Sequence, residues 1–590
     1  MHDLVQRLKQ RKLVQWSLAY GASSFAFIQV LDVVAQRFGW PDRLEKLLIL
    51  ALAIGFFVTL VLAWYHGERG HQRATGMELV ILALLLAIGG GLLWRYERAV
   101  PTDAAPNSAA PVQAGVPAAS ASVISVKSVA VLPFVNESGE KDQQYFSDGL
   151  SEDLINALSQ FDGVKVISRN SSFQFRDSTL SSEALGRALG VAYLLEGSVR
   201  RLQDQVRVNA ELVNAIDGSA LWSQHYDRPY KDLFALQDEI TKSVADVLKT
   251  KLLEGGGAVV QSDRPPGGDL AAYAAYLKGR SLDRQIGEAP LREAIAHFGE
   301  AVRIDPKYAA AYAAMARTWT QMAGYDLGGT EAQQAYANAR AATGKALQLD
   351  SDLAAGHDAR GRLVQFADFD WSGAETDFRR ALQLAPNDDQ AKTGLAFVLA
   401  ALGHPRQAIP LLRQAFATDP RSVDASYMLN LSLAAVGELN EAEQTLTKAL
   451  VLSPDETYLH YGLVVLQVQR GMPRAALASA QNLAPGLLRN VAVAMTLYAA
   501  QDYGAADAAL KTLIAKDAES SAYQIASIYA LRRDPDSTFM WLDRAWTNRD
   551  PGIGFLLFDP FILRYKDDPR FAAFCKKVGL PVTTESKALP

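Results

Sequence analysis

At 590 residues the chain exceeds what one hydrophobic core organises, since single cores stop growing near ~250–300 residues. Its 59 Lys and Arg against 64 Asp and Glu leave a net charge of −5, which excludes the clustered basic excess of a nucleic-acid binder. The single cysteine, Cys575 in RFAAFCKK, excludes an intrachain disulfide and a cysteine-rich metal site, and reads as a small apolar residue on a helix face.

Residues 1–12 form a basic tail, with Arg7, Lys9, Arg11 and Lys12, and show no small-residue cleavage site of a removable signal. Residues 13–98 form a predicted transmembrane region with spans at about 14–36, 46–65 and 78–94. The second and third runs, LLILALAIGFFVTLVLAWY and LVILALLLAIGGGLLW, carry no charge, and Trp64, Tyr65 and Trp94 fall at their ends, where amphipathic rings prefer the headgroup level. The first run contains Gln15, Gln29 and Asp32, and the acid is read as lying near the far interface. Three spans export everything after Trp94, whereas two spans keep it in the cytoplasm. The positive-inside rule favours two, and the length and apolarity of the first run favour three. The three-span arrangement is preferred, which exports the C-terminal bulk. If the first run does not span, that bulk is cytoplasmic.

Residues 99–125 are rich in Pro, Ala and Ser and read as a spacer too polar and too small in side chain to fold. The texture then changes over 126–253. SVAVLPF and VKVISR read as strands. QYFSDGLSEDLINALSQF carries Phe146, Leu150, Leu154, Ala157, Leu158 and Phe161 at helical spacing. SSEALGRALG reads as a helix capped by serine and stopped by Gly190. YLLEGSVRR, QVRVNAELVNA and SALWSQHYDR are strand-like, with turns at Gln203-Asp204 and Asp217-Gly218. DLFALQDEITKSVADVLKTKL closes the segment as an amphipathic helix. The order β-α-β-α-β-β-β-α predicts a small α+β domain with helices packed on a mixed sheet.

Taken in order, LPF, YF-DG-SEDL, LEGSVRR and DG--LWS--YDR resemble the TolB amino-terminal-like domain. That family is found beside tetratricopeptide repeats in bacterial multidomain proteins. The resemblance implies a non-catalytic binding or assembly module with no assigned active-site residues. It also implies relatives in which a winged-helix DNA-binding domain or a nucleotide-cyclase domain precedes the module. This chain has predicted membrane helices there instead, so the bacterial setting that the resemblance implies makes it a multi-pass inner-membrane protein, with the exported C-terminal domains in the periplasm.

A second linker is expected over 254–267 and a repeat array over 268–553. RALQLAP, QAFATDP and KALVLSP end at Pro386, Pro420 and Pro454, and 420 − 386 and 454 − 420 both equal 34, the tetratricopeptide period. In that phase Ala374, Ala408 and Ala442 recur, as do Phe378, Leu412 and Leu446, then Ala381, Ala415 and Ala449, with Gly403 and Gly437 at the turns. Weaker copies on both sides bring the count to seven or eight units. Residues 554–590 read as an aromatic C-terminal cap and tail. The fold class expected is therefore multidomain: N-terminal transmembrane helices, a small α+β domain, and an all-α superhelix of tetratricopeptide repeats.

On the first helix of successive units, Thr393, Tyr427 and Tyr461 share one phase, and Phe397, Leu431 and Val465 share another. They form a candidate peptide-binding stripe, although the same spacing also serves packing between units. The acids Asp148, Glu152 and Asp153 are read as complementing a helix dipole. No P-loop, paired-histidine metal spacing or G-x-S-x-G elbow occurs, and His225 beside Asp227 is read as a surface pair. The expectation is a membrane-anchored adaptor, not an enzyme. It has no cofactor or metal, and its partners are other proteins and the lipid bilayer, with no nucleic acid. The alternatives are a membrane receptor whose α/β domain binds a small ligand and, more remotely, an enzyme with an unrecognised site.

Overall fold

The computed structural model describes residues 127–588 apart from 139–142, 160, 162, 253–262, 286 and 326. The predicted basic tail, the three spans and the first linker lie outside the described residues. Among the described residues, no helix is long and apolar enough to cross a membrane.

The described residues begin with a mixed sheet. Its strands are β1 (Ser128–Val131), β2 (Val135–Asn136), β3 (Lys165–Val166), β4 (Tyr193–Leu202), β5 (Gln205–Asn214) and β6 (Ala220–Pro229), in spatial order β3-β1-β4-β5-β6 with β2 beside β4. β1 pairs in parallel with β3 and β4, while β4, β5 and β6 form an antiparallel meander. Because β1 is central and covered on both faces, its four residues are all buried, as the unbroken SVAV run requires. Val129 and Val131 point to one face, with helices α1 (Gln144–Ser159) and α4 (Leu233–Leu252) over it. Ala130 and Leu132 point to the other, against Leu185 and Leu189 of α3 (Ser182–Leu189). Ser181 caps α3 and Gly190 ends it in the left-handed region, where its sequence signals place those functions. The strand expected over VKVISR is only Lys165–Val166, and Arg169 opens a five-residue helix, α2 (Arg169–Phe173).

Among the described residues sixteen helices follow, packed as hairpins. The first four pairs are α5 (Leu270–Leu282) with α6 (Glu288–Ile304), α7 (Ala309–Tyr325) with α8 (Gly329–Leu349), α9 (Ala354–Leu363) with α10 (Trp371–Leu384), and α11 (Asp389–Ala401) with α12 (Pro405–Thr418). The last four are α13 (Val423–Val436) with α14 (Leu439–Leu452), α15 (Thr457–Gln469) with α16 (Pro473–Gln481), α17 (Leu487–Ala499) with α18 (Tyr503–Asp517), and α19 (Ala522–Leu531) with α20 (Pro535–Thr547). Two 3-10 turns, Pro551–Phe555 and Ile562–Tyr565, and α21 (Pro569–Lys577) close the chain.

The periodic residues are the packing residues. Ala374, Ala408 and Ala442 are fully buried, as are Phe378, Leu412 and Leu446. The reason is geometric: small side chains let two helices approach, and a bulky one fills the hole behind them. Phe378 shows how tight this is, because a Cβ at Gly394 would stand 2.5 Å from its ring and one at Gly361 about 3.1 Å away.

Replacing Phe378 by alanine should therefore lower unfolding free energy by about 3–5 kcal/mol, the range for emptying a buried aromatic site. Urea melts followed by circular dichroism measure it, and a loss under about 1 kcal/mol would show that the hole collapses.

Candidate protein-binding groove

The 34-residue period puts one residue of each phase on α11, α13 and α15, and all six stripe residues are half-buried. Their surroundings differ. Thr393 donates its hydroxyl to the Asp389 carbonyl at 2.8 Å, one turn back on its own helix. Phe397 is covered by the chain's own C-terminal segment. Its ring centroid lies 5.3 Å from that of Phe555 and 6.3 Å from Phe558, both edge-on, and a Cβ at Gly554 would stand 2.6 Å from it. Tyr427 packs edge-to-face on Tyr458 at 5.9 Å. Leu431 and Val465 lie against the main apolar cluster of the array.

The Tyr427 and Tyr461 phenols are pushed up first by burial, and then by the nearby carboxylate of Asp559 on the C-terminal segment for Tyr461 and by neighbouring tyrosines and Asp559 for Tyr427. Asp559 in turn accepts the backbone N–H groups of Phe561 at 2.8 Å and Ile562 at 3.1 Å, and the Tyr523 hydroxyl at 3.3 Å. The sequence reading takes residues 554–590 only as a cap. The density of large apolar groups in FLLFDPFIL, more than one exposed hairpin end needs, is the signal that it packs into the array. Cys575 sits in this segment fully buried, and burial pushes its thiol up to about 12, which makes it inert as a nucleophile.

A second surface lies where the sheet meets the repeats. Asp148, Glu152 and Asp153 sit within α1 rather than free at its start, and they face arginines and a tyrosine, not solvent. Glu152 pairs with Arg280 and Arg284 of the first hairpin and, at 3.3 Å, with Arg169. Asp148 pairs with Arg176 at 2.8 Å. Asp153 accepts the Tyr273 hydroxyl and, at 2.8 Å, the Gln237 amide. The dipole reading of these acids is corrected accordingly: long-range partners set their role. Farther along, α2 grips the loop after α12. Asn170 and Ser171 donate to the Asp419 carboxylate at 2.9 and 2.8 Å, and Ser168 donates its N–H to the Thr418 carbonyl at 3.0 Å.

The remaining sequence candidates are plain in the structure. Asp227 pairs with Arg207 at 2.7 Å and lies 3.8 Å from His225 Nε2 on an exposed strand, the surface pair expected, while the Ser138 hydroxyl accepts the Arg201 N–H at 2.9 Å and takes no part in it. Asn136 accepts the Ser138 N–H at 3.0 Å, the hydrogen bond of an Asx turn. Among the described residues no group of three or more His, Cys, Asp and Glu is placed to hold a metal.

Comparison with known proteins bears on both halves. Residues 125–243 match the family described as the second domain of HilA/YgeH-like transcriptional regulators, and residues 365–431 match the tetratricopeptide repeat. A Rhizobium meliloti (strain 1021) protein named "Putative adenylate cyclase 3" is 40% identical over 188 residues, about 32% of each chain. The chain thus spans about a third of the length of that relative. Two solved structures align over 36% of this chain. YrrB, a repeat protein with an unusual peptide-binding site, has 20% identity, a TM-score of 0.26 and 97% of its own chain covered. PilW, a type IV pilus biogenesis factor, has 19% identity, a TM-score of 0.30 and 98% covered. The array is of tetratricopeptide-repeat type.

The two neighbouring acids of α1 should give opposite pH responses. Burial alone would raise Glu152, but the guanidiniums of Arg280, Arg284 and Arg169 outweigh it and hold the carboxyl down at about 2. Its contribution to stability is present above the ordinary value of 4.5 and is lost as pH falls from there towards 2. Burial pushes Asp153 up to about 7 against the Tyr273 hydrogen bond, so stability is lost as pH rises from 3.8 through 7. Thermal melts of Asp153→Asn should lose the downward slope between about pH 4 and 7. Melts of Glu152→Gln should lose the rise between about pH 2 and 4.5. Unchanged slopes in both variants would remove these acids from the seam.

Proposed function

We propose that this protein is a membrane-anchored adaptor that brings partner proteins together at the bacterial inner membrane and acts by binding rather than catalysis. The observation that carries the reading is the stripe repeated in phase on α11, α13 and α15, in a repeat class built for recognising protein segments. Tyr458, 45% exposed beside Tyr427, gives the stripe an aromatic edge open to solvent. Reaching Phe397 requires displacement of Phe555 and Phe558.

The apolar runs near 14–36, 46–65 and 78–94 supply the anchor in this reading. Confinement at a membrane raises the local concentration of both partners, so a groove of modest affinity suffices. The sheet is proposed to be a TolB-like binding module. Its likeness to a domain of transcriptional regulators and the resemblance to a cyclase-named protein fit a module that recurs beside different outputs. With three spans, the sheet and repeats are periplasmic.

Crosslinked pull-down from native membranes should capture discrete protein partners, and Tyr427→Ala with Tyr461→Ala should reduce capture at least severalfold while the array still melts cooperatively. Undiminished capture by the folded double variant would move the binding surface elsewhere. An alkaline-phosphatase fusion at Pro590 should be active, and an inactive fusion made at normal levels would place the C-terminal part in the cytoplasm.

A further inference from the structure

We propose that the array edge formed by the turns at Gly403, Gly437 and Gly471 is a docking track for an extended, carboxylate-bearing segment of a partner protein, partly filled here by residues 583–588 of this chain. The proposal rests on the protein-binding reading above but concerns a different surface from the aromatic stripe. The three glycines are 34 residues apart, at the same turn of successive hairpins, and all adopt the left-handed region, with φ of 84°, 90° and 69°.

The seated segment shows what the track recognises. The Glu585 N–H donates to the Gly403 carbonyl at 2.9 Å and the Lys587 N–H donates to the Ala435 carbonyl at 2.7 Å. Donors two residues apart are what an extended strand presents to one side, so the track reads backbone shape before sequence. A Cβ at Gly403 would lie 2.6 Å from the Thr583 carbonyl oxygen, which is why the chain approaches so closely there. One side chain adds charge. The Glu585 carboxylate accepts the Arg406 N–H at 3.3 Å and stands 3.5 Å from His404 Nδ1. It thereby satisfies an amide in the first turn of α12, a helix whose own flanking residue, His404, supplies no side-chain cap.

The seat is imperfect and incomplete. Ser586 is only 6% exposed, and its hydroxyl has no hydrogen-bond partner, which weakens the grip of the segment. Glu438 and Met472, which precede α14 and α16, also supply no side-chain cap. At Gly471 no described atom lies within 4 Å of where a Cβ would stand. A partner segment that follows the same path gains a third turn that residues 583–588 do not use.

Fluorescence anisotropy tests this with a labelled peptide of residues 582–590, VTTESKALP, against the intact chain and a variant lacking those residues. The shortened chain should bind the peptide at least tenfold more tightly than the intact one. A peptide carrying Glu585→Gln should bind severalfold more weakly, and Gly403→Ala in the shortened chain should abolish binding. No binding by the shortened, folded chain, or equal binding by both chains, would overturn the proposal. Should Gly403→Ala fail to fold, the Glu585→Gln peptide decides in its place, and undiminished binding of that peptide refutes the carboxylate preference. Peptide binding without captured partners would keep the track and remove the adaptor reading; captured partners without peptide binding would do the reverse.

Discussion

Every hairpin of the array has an apolar face that only another element can bury, and the two ends have no further repeat to do it. Much of the structure follows from that constraint. At one end, α1 and α4 of the sheet lie on α5, so that Leu150 and Leu154 share a cluster with Tyr273, Tyr276 and Phe298. The sheet and the repeat array, expected as two domains joined by a linker, thus share one apolar cluster. At the other end, the segment from Pro551 to Leu580 turns back into the array and joins the cluster built on Phe378, Leu412 and Leu446. The α11–α12 hairpin is held twice: α2 binds the loop after it, and the tail binds the turn within it.

Apolar burial and charge do different work at the first seam. A fully buried aromatic or aliphatic side chain contributes about 1.5–3 kcal/mol, and several converge there, so burial supplies the energy of docking. The ion pairs around Glu152 cannot be counted the same way, because desolvation cancels most of their attraction. Their effect is selective. Removing one partner of a buried pair leaves an uncompensated charge, at a cost of about 3–5 kcal/mol, so registers that fail to bring Arg280 and Arg284 to Glu152 are excluded.

What the sequence reveals and what it hides divide along the same line. The 34-residue phase marks Ala374, Phe378 and Ala381 and their equivalents because each unit meets a neighbour like itself, so one local rule is written three times over. The sheet's strands are legible for a similar reason: Val129 and Val131 alternate with Ala130 and Leu132, and the Asp217-Gly218 turn has its own chemistry. The partners of Asp148 and Glu152 leave no such mark. Arg280 and Arg284 lie 128 and 132 residues beyond Glu152, and no period connects them. Helix α2 is equally silent, since five residues hold too few turns to show a helical pattern, and its position is explained by Asp419, 248 residues from Ser171.

The groove shows why periodicity alone cannot separate recognition from packing. A concave stripe that binds an apolar segment needs the same residue types, at the same spacing, as one that packs on the chain's own end. Phe397 and Tyr427 belong to the two neighbouring phases of the stripe, on successive units; one meets Phe555 and Phe558 from the C-terminal segment, and the other meets Tyr458 of the next unit. The turn glycines carry a different kind of information. A left-handed turn explains a glycine at Gly403, Gly437 and Gly471 alike, but only close approach explains why no Cβ is tolerated over Gly403, and that approach is made by an extended backbone. The tail is seated by two main-chain hydrogen bonds, one carboxylate and the Thr584 hydroxyl, which donates to the Leu557 carbonyl at 2.8 Å, and all but the last are groups that any extended acidic segment possesses. The chain's own tail therefore defines the chemistry of its competitors.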